Sequence, residues 1–218
     1  MIFDWAYALE IAPVLARALL VTLQATVLGM AIALVLGLAL ALARRAPYPL
    51  LAWPTAVFVE FIRSTPLLVQ IFFLFYVLPE AGVRLSPLTA GVLALGVHYA
   101  AYCSEVYRAG LESVPKGQWE AALALNLGRW RTMRSIILPQ ALPPVVPALG
   151  NYLVAMFKDT PLLSAITVVE LLQTAKLLGS ESFRYVEPLT LVGVLFLALS
   201  LASAAVIRVA ERRLKIAN

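Results

Sequence analysis

The sequence is poor in the residues that reactive chemistry uses. Of its 218 residues one is cysteine and one is histidine. The single cysteine, Cys103, excludes an intramolecular disulfide, and its place inside an apolar segment suits a small buried hydrophobe. No G-x-x-x-x-G-K-[ST] run is present to cradle phosphates, and no HExxH, paired C-x-x-C or G-x-S-x-G elbow occurs. A lone histidine with scattered carboxylates builds neither a catalytic nor a metal site, so no cofactor bound by this chain is expected. Charge is scarce too. Asp, Glu, Lys and Arg make up 13% of the residues, where soluble domains carry about a quarter. The N-terminus has no basic n-region: it carries Asp4 and Glu10, and the first apolar run is too long for a signal-peptide core, so no cleavage is expected.

What the chain has instead is apolar length. Hydrophobic residues form 62% of it and the mean hydropathy is +0.89. This composition identifies an integral membrane protein in contact with lipid. The net charge of +5 then requires no nucleic acid partner, because basic residues collect in the cytoplasmic loops of such proteins. Residues 18–43 form an uncharged run long enough to cross a hydrocarbon core of about 30 Å with tilt. Further spans are predicted over 53–78, interrupted by Glu60 and Arg63, over 86–107, over 138–158 and over 188–208. The fourth contains Pro139, Pro143, Pro144 and Pro147 and is expected to be bent or irregular in its first turns. Thr160 to Val169 is too short to cross and reads as a re-entrant or surface half-helix.

Loop charges orient these five spans. Arg44 and Arg45 follow the first; Arg108, Lys116, Arg129, Arg131 and Arg134 follow the third; Arg208, Arg212, Arg213 and Lys215 end the chain. All three basic groups fall on one side if the N-terminus is outside and the C-terminus inside. The expected fold is an all-α integral membrane bundle, with residues 1–218 forming a single transmembrane domain.

Between the third and fourth spans, about residues 110–138, lies a segment too polar to span and too patterned to be idle. Its centre is Glu120-Ala-Ala-Leu-Ala-Leu-Asn-Leu-Gly128, closing on Ile137-Leu-Pro139. Ala121, Ala122 and Ala124 favour helix and let a backbone approach a partner closely. Glu120 is expected in the first helical turn, where a carboxylate suits the helix dipole. Pro115 and Lys116-Gly117 before it read as a turn. These properties suit a cytoplasmic docking element.

Three segments in order carry a resemblance: Glu60-Phe-Ile-Arg-Ser-Thr-Pro-Leu-Leu-Val-Gln70, Val106 through Ala122 running into the loop, and Pro139-Gln-Ala-Leu-Pro143 with the segment after it. They resemble the permease subunits of polar amino acid ABC importers, and the loop resembles their EAA coupling loop. The resemblance covers nearly the whole chain. It implies a type I importer (MetI-like) fold in the inner membrane, and an ATPase-coupling role for Glu120, Ala121, Ala122, Asn126, Gly128 and Pro139. It also implies a second permease subunit, identical or sister, an extracytoplasmic solute-binding protein, and a pair of ATPase subunits that bind ATP and Mg. Where the family usually has glycine six residues after the glutamate, this chain has Asn126. Asparagine tolerates the left-handed conformation, so the turn is expected to survive.

Polar residues at depth mark the path. Ionised groups in the membrane interior are costly and therefore face protein or water. Glu60 and Arg63, three apart, can pair with each other. His98 and Glu105, seven apart, share a helix face where a zwitterion could meet them in turn; a packing role, or a satisfied neutral imidazole at His98, is the alternative. Asn151 and the Lys158-Asp159-Thr160-Pro161 terminus complete the substrate-pathway candidates, because broken helices often line solute sites in transporters. The stretch from Asn151 to Leu171 is similar to the branch that imports ectoine and hydroxyectoine. Related permeases often carry serine where Pro161 stands. Two other classes remain: an ion-coupled secondary transporter of amino acids, which would more often show repeated halves, and a membrane scaffold, which would need no Glu60, Arg63 or His98.

Overall fold

Asp4 caps the first helix, which begins at Trp5: its carboxylate accepts the Ala6 and Tyr7 N–H groups. The computed structural model describes residues 3–216, with side chains as far as Arg212, so Arg213 and Lys215 of the C-terminal basic group lie outside the described side chains. Helix α1 runs Trp5–Arg44, α2 Pro49–Ser64 and α3 Leu67–Phe72, the last continuing through a π turn to a short 3-10 turn ending at Ala81. Helix α4 is Pro87–Glu112, α5 Lys116–Ala124, α6 Arg129–Thr132 and α7 Leu138–Asp159. A 3-10 turn, Thr160–Ile166, leads to α8, Leu171–Ser182, and α9, Val186–Ile216. No strand occurs among the described residues.

The centre of the bundle is α1 packed along α4. Small residues recur every fourth position on one face of α1, and Ala25, Gly29, Ala33, Gly37 and Ala41 are all buried. Such a stripe lets helix backbones approach closely, which is how helices associate in lipid. At Gly37 an added Cβ would lie 2.7 Å from the Cys103 Cβ and 2.9 Å from the Ala100 carbonyl oxygen. Cys103 is thus a small residue in a tight interface. Helix α4 is long enough to cross, yet α1 and α9 alone are individually apolar enough to qualify, with the α2–α3 pair and the α7–α8 pair qualifying as bent units. The reason is position: α4 contacts α1, α2, α3 and α7, so its sides meet protein more than lipid.

Two expectations are corrected, and one is extended. The helix that holds the 18–43 run begins earlier, at Trp5; it has 40 residues and accommodates Pro13. At 1.5 Å per residue it is about 60 Å long, twice a hydrocarbon core, so its first turns lie beyond the bilayer interior. The second span is two helices meeting at 106°. Pro66 forces the residue before it out of the helical region, and Thr65 is extended, at φ −108° and ψ 140°. In the fourth span Pro143, Pro144 and Pro147 sit within an unbroken α-helix, and the irregularity lies just ahead of it as a π turn over Met133–Ile137.

At the end of the bundle that carries Asp4, Arg184 bridges Asp4 (3.1 Å) and Glu187 (2.7 Å) and lies over the Tyr7 ring. The Tyr7 N–H, and then Arg184, hold the Asp4 carboxyl below its usual range, and Arg184 does the same for Glu187. Groups with depressed folded-state values contribute stability that is lost as pH falls through them, so this tie is complete at neutral pH and is lost only as pH falls below the ordinary carboxylate range.

Gly37→Val is expected to destabilise the protein by roughly 2 kcal/mol or more through overpacking, read as a lower melting temperature in detergent. Gly117→Ala, where no neighbour lies within 4 Å of the added carbon, leaves the melting temperature unchanged or raises it.

Candidate functional site

The loop between α4 and α7 is a helix–turn–helix rooted in its own small core. Val114, Ile137 and Ala141 are buried there, with Trp119 and Met133 packed against them. Helix α5 ends in a Schellman arrangement: the Leu127 N–H donates to the Ala122 carbonyl (3.0 Å) and the Asn126 N–H to the Leu123 carbonyl (2.9 Å). Asn126 is left-handed, at φ 53°. Gly128 caps α6 in an extended conformation. Helix α5 starts at Lys116, with Pro115 as its cap. Glu120 therefore lies in the second turn and not the first, so the helix dipole does not account for it. Glu120 and Ala121 are exposed, whereas Ala122 faces inward and is 2% exposed. Pro139 is exposed in the first turn of α7. Around Glu120 the outward surface is apolar: Leu123, Leu125 and Trp130 are each more than 70% exposed.

A second group of residues gathers where α1, α2 and α4 meet. Glu60 and Arg63 do pair, at 3.5 Å, but the pair is open to a third party. Arg63 lies equally far, 3.5 Å, from Glu105, which is also bound by Arg44 and, at 2.7 Å, by Arg108. One carboxylate thus gathers three guanidinium groups from three helices. The Arg63 contacts are the long ones, so Arg63 is the least firmly held of the three.

Beyond Arg63 runs a seam of rings. The Arg63 guanidinium lies 5.6 Å above the Tyr102 ring; Tyr102 is 5.6 Å from Tyr152, and Tyr152 is 6.1 Å from Tyr99. The Tyr99 hydroxyl donates to Asp159 at 2.6 Å. His98 meets Tyr102 at 5.1 Å and shares a hydrogen bond with Gln70. The seam therefore joins Arg63, His98 and Asp159, with Glu105 at its Arg63 end. Asn151 and Lys158 are exposed and stand apart from the ion pairs and side-chain hydrogen bonds that join the described residues. Thr160 is fully buried and its hydroxyl donates to the Phe157 carbonyl at 2.7 Å, which ties it to the helix end. Sequence reasoning missed Tyr99, Tyr102, Arg44 and Arg108 as members of this group. The signal was partly present: Tyr102, four residues after His98 and three before Glu105, lies on their α4 face, and Tyr99 lies one turn before Tyr102.

The chain is similar to solved transporters over nearly its whole length. It superposes with a TM-score of 0.92 and 32% identity on the crystal structure of an amino acid ABC transporter with histidines, covering 98% of this chain and 100% of that one. Inward-facing MetNI methionine ABC transporter, at 21% identity, shares the fold with a TM-score of 0.79, covering 94% of this chain and 98% of that one. These define the class as an all-helical type I importer permease fold. Residues 25–216 match the family described as the inner membrane component of binding-protein-dependent transport systems, and the chain belongs to that family. Among its relatives, the probable amino-acid ABC transporter permease y4tG of Sinorhizobium fredii is 49% identical over 95% of this chain and 90% of that protein. The glutamine transport system permease GlnP of Escherichia coli is 38% identical over 99% of this chain and 100% of its own length. The chain is accordingly a multi-pass inner-membrane permease subunit of an ABC importer. It is a transport component and not an enzyme, with the ATPase on a separate subunit, and it works with a binding protein.

The left-handed turn makes a specific prediction. Asn126→Val should destabilise the loop by roughly 1–2 kcal/mol, whereas Asn126→Gly should not, as read by the melting temperature of the assembled complex.

Proposed function

We propose that this permease conducts a polar amino acid inward, and that the ring seam from Arg63 to Asp159 is the part of the path that recognises it. The observation that carries this is the pairing of opposite charges across aromatic rings. A cation stands at one end of the seam and a carboxylate at the other, with Tyr102, Tyr152 and Tyr99 between. A zwitterion presents the complementary pair. Its carboxylate would compete for Arg63, whose own ionic contacts are both 3.5 Å, and its ammonium would meet tyrosine faces and Asp159. Glu60, His98, Glu105, Asn151, Lys158 and Thr160 border the same route in this reading, Glu105 by holding Arg63 and Thr160 by fixing the turn after Asp159.

Residues 1–218 act as one domain of five spans with the N-terminus outside and the C-terminus inside. In support, the basic groups at Arg44, Arg108 and the 110–138 loop lie together at one end. The loop couples to the ATPase pair, which binds ATP and Mg. Glu120 and Ala121 face that partner with Leu123, Leu125 and Trp130, while Ala122, Asn126, Gly128 and Pro139 set the loop's shape. A second permease subunit, identical or sister, completes the path, and alternating access follows when the ATPases draw the two loops together. An ectoine-like cyclic zwitterion is the second reading, favoured by the stretch from Asn151 to Leu171. The relatives named for amino acids support the first.

Two measurements test this. The binding protein encoded beside this chain should be stabilised by a polar amino acid from a panel that includes ectoines; stabilisation by ectoine alone overturns the first reading. Glu120→Lys should abolish solute-stimulated ATP hydrolysis by the complex while membrane insertion persists. Unchanged hydrolysis contradicts the coupling role.

A further inference from the structure

The break in the second span leaves a carbonyl without its helical donor. Pro66 has no N–H, so the Ile62 carbonyl four residues earlier has no intrahelical partner. In a membrane interior such a group must be answered from elsewhere. Gln70 answers it. Its side-chain nitrogen lies 2.8 Å from the Ile62 carbonyl oxygen, 3.2 Å from that of Thr65 and 2.7 Å from the Thr65 hydroxyl. With three acceptors around it, this atom is the amide nitrogen and the other is the oxygen. That oxygen stands 3.1 Å from His98 Nδ1. An amide oxygen carries no proton, so the imidazole donates, and its hydrogen sits on Nδ1.

We propose that Gln70 is a positioning residue of the transport path, a stand-in for the missing Pro66 N–H, and that His98 orients it from α4. The joint between α2 and α3 is thereby tied to the helix that carries the ring seam. An apolar cleft of about 360 Å³ opens at this elbow, bordered by Phe58, Phe61, Val69 and Phe73 and by Ala94 and Val97 of α4. Across this cleft the two helices are joined by the Gln70 hydrogen bonds, while Val59 and Ile62 of α2 and Leu67 and Ile71 of α3 are buried against the rest of the bundle. Arg63 follows Ile62 directly, and its own carbonyl accepts from the Tyr102 hydroxyl at 3.5 Å. The joint sets where the Arg63 guanidinium meets the rings. In naming Arg63 the inference rests on the function proposed above; the joint itself does not.

The chemistry separates two substitutions of His98. Asparagine places an N–H close to where Nδ1 stands, whereas glutamine places it near the Nε2 position. The test uses the full importer, with its ATPase and binding protein, in proteoliposomes, with complex assembly measured on the same samples. Gln70→Leu, which has no donor, should lower the uptake rate roughly tenfold, and so should Gln70→Glu at a pH where the carboxylate is ionised. His98→Asn should retain at least about five times the uptake of His98→Gln. Wild-type uptake in Gln70→Leu, or His98→Gln performing as well as His98→Asn, overturns the proposal. If the Gln70 variants fail to assemble, the His98 pair, which keeps Gln70, decides. ATP hydrolysis stimulated by the binding protein should rank the variants in the same order. If the wild type carries no amino acid, the function proposed above fails, while that ranking still judges the joint.

Discussion

A backbone carbonyl or N–H facing hydrocarbon without a partner costs several kcal/mol, and this constraint organises the molecule wherever its helices break. At Thr65–Pro66 the freed carbonyls are taken by Thr65, Gln70 and Tyr102. After Asp159 the Thr160 hydroxyl takes the Phe157 carbonyl, and Thr167 turns the chain in a left-handed conformation at φ 64°. At the start of α8 the buried Glu170 caps Leu172 and Gln173, and the Thr22 hydroxyl of α1 accepts the Leu171 N–H. Each break thus recruits polar side chains to depths where they would otherwise be excluded. The candidate path lies alongside two of those breaks.

The same economy links the loop to the path. Helix α4 carries Tyr99 and Tyr102 and runs into the loop; α7 leaves the loop and carries Tyr152 and Asp159. The loop's core is built from residues of both helix ends, Leu111 and Val114 on one side and Ile137 and Ala141 on the other. A force applied at Glu120 is therefore delivered to the two helices that hold the ring seam. The stripe of small residues keeps α1 close against α4, so α4 moves with a long partner and not as a single rod.

Much of this was legible in the residues. Apolar length marked the chain as a membrane protein, and three ordered segments led to the family. The left-handed turn at Asn126 followed from asparagine's tolerance of that conformation. What was hidden had physical causes. The start of α1 at Trp5 depends on the Asp4 cap, and Glu10 and Arg17 interrupt the apolar pattern although both sit on its exposed face. Glu120 was placed one turn early because Pro115 is a helix cap and Lys116-Gly117 belong to the helix, whereas Lys-Gly after a proline reads as a turn. The bend at Pro66 was foreseeable from the residue-before-proline rule. Its repair by Gln70 and His98 was not, since those residues lie 28 apart in sequence. The convergence of Arg44, Arg63 and Arg108 on Glu105 is equally a product of three helices meeting.

The central claim is that this chain borrows its work from a separate ATPase through the loop at 110–138. The most direct measurement is solute accumulation in sealed proteoliposomes containing the permease with its binding protein, with and without the ATPase subunit and ATP. The account predicts uphill uptake only when ATPase and ATP are both present, whatever ion gradients are imposed. Uphill uptake by the permease on an ion gradient alone would contradict it.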